Sequence, residues 1–147
     1  MKALTLTQPW ATLVAIGAKH IETRSWSTNY RGALAIHAAK GWKREDMEFA
    51  LDYPCRGELI KAKVETLADL PRGAVVAIAQ LTDVKRICDT LSNRLMPWDL
   101  YSGVVEEPER AFGDYSDGRF AWLLEDVRPL PEPIYASGAL GLWEVVL

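Results

Sequence analysis

Cysteine and histidine are scarce in this chain, two of each among 147 residues. Cys55 and Cys88 form no C-x-x-C pair and are too few for a disulfide framework, so both are expected as small core residues in a reducing compartment. His20 and His37 have no acid or thiol at ligand spacing, which argues against a metal site; no metal and no cofactor is expected. Long apolar runs are also missing. None approaches the roughly 18 residues of a membrane span. The opening MKALTLTQPW, broken by Thr, Gln and Pro, does not read as a secretory signal. The expectation is a cytoplasmic protein with no membrane partner. There is no G-x-S-x-G elbow, and GALG near the C-terminus is too little for a phosphate loop. Internal repeats and low-complexity tracts are absent as well.

Excess positive charge is lacking overall, since the net charge is -3. That excludes an indiscriminate nucleic-acid binder, yet the charge is unevenly spread. Residues 1–44 hold seven Lys or Arg against one acid, Glu22, while the remaining 103 residues hold ten against nineteen. Both histidines fall in the basic part. A local anion site on an otherwise repelling body is the simplest reading.

What is present suits one domain over residues 1–147, long enough for a single core. KALTL reads as a strand, and Thr7 and Pro9 as the start of a helix whose stripe is Trp10, Leu13 and Val14, stopped by Gly17. HIETRSW alternates, with His20, Glu22, Arg24 and Trp26 on one face. GALAIHA is a strand. Helices are expected from Lys43 to Tyr53 and from Glu58 to Leu70, each stopped by a proline. GAVVAIAQLTDV has the continuous apolarity of a strand buried on both sides. Residues 85–117 lack periodicity and are expected to be an insertion of loops and one or two short helices, mobile enough to act as a flap. GRFAWLLEDVRPL is a strand expected to end before Pro129, Pro131 and Pro133, and GALGLWEVVL closes with a last one. Trp98, Trp122 and Trp143 are expected in core or rim packing. The class is α+β: five or six short strands in a small, partly open barrel with flanking helices.

The face His20, Glu22, Arg24, Trp26 has two readings. It is either a solvent-exposed edge carrying a Glu22–Arg24 pair, or a ligand site in which Lys19 and Arg24 grip an anion and an indole stacks on a base. Basic groups interleaved with an indole recur at Arg31, His37, Lys40, Trp42, Lys43 and Arg44.

The blocks TQPWA, GAKHIETRSW and RGALAIHAAK, in that order and spacing, resemble the ASCH domain, a family named for homology to a transcriptional activating signal cointegrator. RGAVVAIAQLTDV and GRFAWLLEDVRPLPEPIYASGALGLWEV resemble its middle strand and tail. The resemblance implies a PUA-like mixed β-barrel whose cleft takes RNA or DNA. Gln8, Trp10, Lys19, Glu22, Arg24, Trp26, Arg31 and Lys40 fall on its motif positions. Lys43 extends the second basic stretch. Family members include proposed RNA-binding regulators, ribonucleases, and small hydrolases of acylated cytidine. Lys19 matches the Lys of those hydrolases, whereas Glu22 stands where they have a Thr.

Two functions follow as expectations. The first is binding of single-stranded RNA or a flipped nucleotide by Gln8, Trp10, Lys19, Arg24, Trp26, Arg31, Lys40 and Lys43. If it turns over, the reaction is phosphodiester hydrolysis: Lys19 and Arg24 stabilise charge while Glu22 or His37 moves protons. The alternative is an amidohydrolase of a modified cytidine nucleoside, with Lys19 as base and Glu22 as its partner.

Overall fold

The computed structural model describes residues 1–88, 94–96 and 105–147. In chain order the elements are β1 (Lys2–Leu6), α1 (Trp10–Ala15), β2 (Ile21–Arg24), β3 (Gly32–Ala38), α2 (Arg44–Leu51), α3 (Cys55–Lys61), β4 (Ala74–Cys88), β5 (Arg94–Met96), β6 (Phe120–Tyr135) and β7 (Leu142–Glu144). Short 3-10 turns lie at Leu67–Asp69 and Glu109–Phe112. The class is α+β, as expected. The residues cluster into two compact units, and the long strands β4 and β6 each contribute to both.

The first unit comprises Met1–Lys19, Ala33–Ala79 and Asp126–Leu147. β1 pairs in parallel with β3, Thr5 opposite His37, and antiparallel with β7. Ala3, Ala35, Val75 and Val145 bury together, with Trp143 and Leu130 packed against them. Small side chains at the centre of this sheet leave room for the indole. α1 packs on β1 and α3, and α2 on α3.

α1 starts at Trp10, with Pro9 rather than Thr7 at its N-cap, a residue that has no side-chain acceptor to offer. Gln8 supplies it instead: its Oε1 accepts the Thr12 N–H at 3.1 Å. At the other end Gly17 adopts φ +80, and the N–H groups of Ala18 and Lys19 both reach the Leu13 carbonyl. This is the left-handed stop for which glycine is suited.

Two sequence expectations are corrected in this unit. The helix expected over 58–70 begins at Cys55 and ends at Lys61, because Pro54 opens it and Lys63 turns away at φ 62. Thr66 and Asp69 then close a separate turn, in which the Thr66 N–H donates to Asp69 at 2.9 Å. β6 does not end before its prolines but runs through all three. The reason lies in strand parity. Ala136 N–H donates to the Gly73 carbonyl, so the odd-numbered positions before it turn their nitrogens to the opposite edge. Pro129, Pro131 and Pro133 therefore remove donors only where β6 does not need them.

The second unit comprises His20–Gly32 and Gln80–Glu125. β2 pairs antiparallel with β6, Glu22 opposite Trp122, and β5 pairs antiparallel with the end of β4. Ile87, Val105, Tyr115 and Ala121 form its core with Ile21 and Leu123. In its described parts the expected insertion 85–117 holds strand as well as the expected short helix, which lies at Glu109–Phe112. Residues up to Cys88 continue β4, 94–96 form β5, and 105–117 carry the buried Val105, Phe112 and Tyr115. Glu109 pins this last part by accepting the N–H groups of His20 and Ile21 at 2.8 and 2.9 Å. Residues 89–93 and 97–104, with Trp98, lie outside the described residues, and so does that part of the expected flap.

Candidate functional site

The predicted residues divide between the two units. Glu22, Arg24, Trp26 and Arg31 belong to the second, and Gln8, Trp10, Lys19, His37, Lys40 and Lys43 to the first.

In the second unit, β2 alternation puts Glu22 and Arg24 on one side. The Arg24 guanidinium donates to Glu22 Oε2 at 3.0 Å, and the two side chains are only 24% and 12% exposed. The pair expected of a solvent-exposed edge is present, but not exposed. Its burial makes it more than a surface ion pair, since two desolvated charges require each other. Glu22 also accepts the Thr23 N–H. Trp26 is half-buried edge-on to the fully buried Trp122, 4.8 Å between centroids, and its carbonyl accepts the Trp122 indole N–H. Arg31 is exposed, but its guanidinium is held by the Thr28 and Tyr30 carbonyls at 2.8 Å and by Asp83 at 3.4 Å. Tyr115 has its hydroxyl pKa pushed up by burial and then by the charges of Glu109, Glu22 and Glu107, so it stays protonated.

In the first unit, Lys19 is fully buried. Gln8 is also fully buried, and its amide is used internally: Nε2 donates to Thr12 Oγ1 at 2.8 Å and to the Pro71 carbonyl at 2.6 Å. It braces the start of α1 against the approach to β4. Trp10 stacks on Phe49 of α2 at 5.1 Å. Lys43 begins α2, where its backbone N–H donates to Asp46.

His37 is buried between two ligands on its own sheet. The Trp143 indole N–H donates to Thr5 Oγ1 at 3.0 Å, and the Thr5 hydroxyl meets His37 Nδ1 at 3.2 Å. Nε2 is the protonated nitrogen and donates to the Ala136 carbonyl at 2.8 Å. The parallel register that sets Thr5 opposite His37 makes this relay possible. It ties β1, β3, β7 and the Ala136–Gly138 turn together. Gly138 fits so closely that an added Cβ would lie 2.7 Å from His37 Cε1 and 2.9 Å from Thr5 Oγ1. Only glycine passes here without displacing the ring.

Beside this relay opens a cavity of about 1000 Å³, whose lining includes His37, Lys40, Arg72, Tyr135, Ser137 and Gly138. Lys40 and Arg72 are exposed at it, Tyr135 is 78% exposed, and the Arg72 guanidinium donates to the Lys40 carbonyl at 2.9 Å. Among the described residues neither cation meets a carboxylate. Sequence reasoning found His37 and Lys40 but missed Arg72 and Tyr135. The available signal was the Arg-Gly pair at Arg72–Gly73, a repeat of Arg31–Gly32 ahead of another apolar strand.

Cys55 is buried and free, and burial followed by the Glu58 charge pushes its thiol up to about 12. Among the described residues no three His, Cys, Asp or Glu side chains gather to hold a metal ion, and no helix is long and apolar enough to cross a membrane.

Over residues 4–130 the chain matches the ASCH domain. It is 38% identical over 81 residues to activating signal cointegrator 1 of Mus musculus and 37% identical over 83 residues to that of Homo sapiens. Each match takes in 54% of this chain and only 14% of the relative. Similar solved structures include ASCH from Zymomonas mobilis, 18% identical with a TM-score of 0.48, covering 91% of this chain and 72% of that one. A point mutant of the same protein gives 20% identity and a TM-score of 0.49 at the same coverage.

Proposed function

The chain belongs to the ASCH domain family, of the α+β, PUA-like fold class, and on that premise we propose that it binds single-stranded RNA or a nucleotide in the cavity of the first unit. One observation carries the reading: about 1000 Å³ of space edged by two cations that meet no carboxylate among the described residues, with an exposed tyrosine and a glycine turn beside them. The Arg72 fork suits a phosphate bidentately, and Lys40 adds a point charge. Tyr135 offers a face for a base. Without a side chain at Gly138, a ligand can come within hydrogen-bonding reach of the turn. His37 acts as a positioning residue that holds this turn, since its ring nitrogens are both engaged.

For turnover the proposal is phosphodiester hydrolysis. Lys40 and Arg72 at the cavity stabilise the charge that develops on the phosphorus oxygens. Trp10 and Lys43, in the same unit, serve as outlying contacts for a longer strand, and Gln8 as a brace. Residues 1–147 act as one domain in this reading, consistent with a family match that includes parts of both units.

The test is anisotropy of a labelled single-stranded RNA titrated with protein at increasing salt. Neutralising two phosphates gives a slope of about -1.4 in log K against log salt. The Lys40→Met, Arg72→Ala double variant should flatten it. Binding that ignores salt, or turnover of acylated cytidine without any RNA binding, would replace this reading with the nucleoside hydrolase.

A further inference from the structure

A second, smaller cavity of about 350 Å³ opens in the first unit, its lining including Trp42, Met47, Leu70, Pro71, Arg72 and Tyr135. Arg72 and Tyr135 line the larger cavity as well. The two spaces are therefore neighbours that share one guanidinium and one phenol. Their chemistries differ. The larger holds the glycine turn and Lys40, while the smaller is walled by an indole, a thioether, a leucine and a proline. The Arg72 guanidinium lies over the Trp42 ring at 5.6 Å from its centroid. That contact marks the indole face as one that accepts a flat, electron-poor group.

We propose that the smaller cavity is a second base subsite, so that the preferred ligand is an oligonucleotide of at least two residues rather than a mononucleotide or nucleoside. This rests on the reading of the larger cavity given above. A nucleotide seated there has a neighbour one phosphate away. The shared Arg72 stands where that linking phosphate would pass, and Trp42 waits beyond it for the neighbouring base. Arginine fits this double duty, because its plane stacks while its edge donates. Apart from Arg72, Tyr135 and the Trp42 indole N–H the walls are apolar, so the subsite takes a base chiefly by stacking.

Binding of four RNA probes by calorimetry tests this: a 5′-phosphorylated mononucleotide, the matching dinucleotide, and two dinucleotides in which one base or the other is replaced by an abasic ribose. The intact dinucleotide is expected to bind about tenfold tighter than one of the abasic forms. Trp42→Ala should reduce that gain to less than twofold, with circular dichroism unchanged, whereas Trp42→Phe should retain most of it. Equal affinity for all three dinucleotides, with mononucleotide binding still lost on Arg72→Ala, would overturn the second subsite and leave the larger cavity's role intact. If no RNA probe binds the parent protein, the larger cavity's reading falls and this one with it. An acidic peptide that displaces the dinucleotide and binds in a Trp42-dependent way with greater affinity would reassign the smaller cavity to protein.

Discussion

The cations beside the cavity and the arginines around β2 are treated in opposite ways, although elsewhere in the first unit Arg44 and Arg128 do pair, with Glu48 and Asp126. In the second, Arg24, Arg31 and Arg119 are paired with Glu22, Asp83 and Asp114. In the first, Lys40 and Arg72 face a cavity and meet no carboxylate among the described residues. A cation already neutralised has less to offer an incoming anion, and freeing it costs the pair. The basic N-terminal stretch is thus not one uniform surface. Part of its charge is structural and part is available, and only the partners distinguish them.

The comparison breaks or sharpens on measured variants. The largest effect is expected from Lys40→Met with Arg72→Ala: RNA affinity should fall at least thirtyfold, while Arg31→Ala changes it less than twofold. Equal losses from both would mean that pairing does not decide availability. Next comes Glu22→Gln. It leaves Arg24 desolvated beside a neutral amide, and chemical denaturation should show a loss of about 1–3 kcal/mol, less than a fully buried pair would give. Lys40→Met should stay within about 0.5 kcal/mol of the parent in the same assay.

Gly138→Ala is expected to cost about 1–2 kcal/mol through its collision with His37 and Thr5, and to weaken RNA binding alongside. An unchanged melting temperature would show that the turn moves freely. The smallest effect concerns Asp114. Hydrogen bonds from the Ser116 hydroxyl and N–H hold its carboxyl below the usual range, with Arg119 adding to it. The stabilisation is present above the ordinary carboxylate pKa and disappears as pH falls through the lowered folded value. Melting temperatures followed downward from pH 7 should therefore draw together for parent and Asp114→Asn as the acid range is entered. Divergence there would sink the assignment.

Much of this was legible one element at a time. Gly17 marked the end of α1, alternation set Glu22 beside Arg24, and GALAIHA announced β3 with His37 on it. Elements governed by a distant partner were not legible. Gln8 caps α1 because Pro71 holds its amide from 63 positions away, and no local pattern records that. Arg72 and Tyr135 come together because β4 begins where β6 ends, a pairing fact rather than a periodic one. The prolines of β6 misled for the opposite reason. Local rules treat proline as a strand breaker, whereas the ladder cares only which edge each nitrogen faces.

Those prolines also bear on how the protein behaves among copies of itself. β2 covers the outer side of β6 only along Phe120–Leu123. Beyond that, a free strand edge would ordinarily offer a row of donors and acceptors on which a neighbouring chain could align and begin to aggregate. With Pro129, Pro131 and Pro133 occupying alternate positions, that row has lost its donors over five consecutive residues. A docking strand would find half its hydrogen bonds unmade. The chain keeps a long extended strand at its surface and remains a poor template for another.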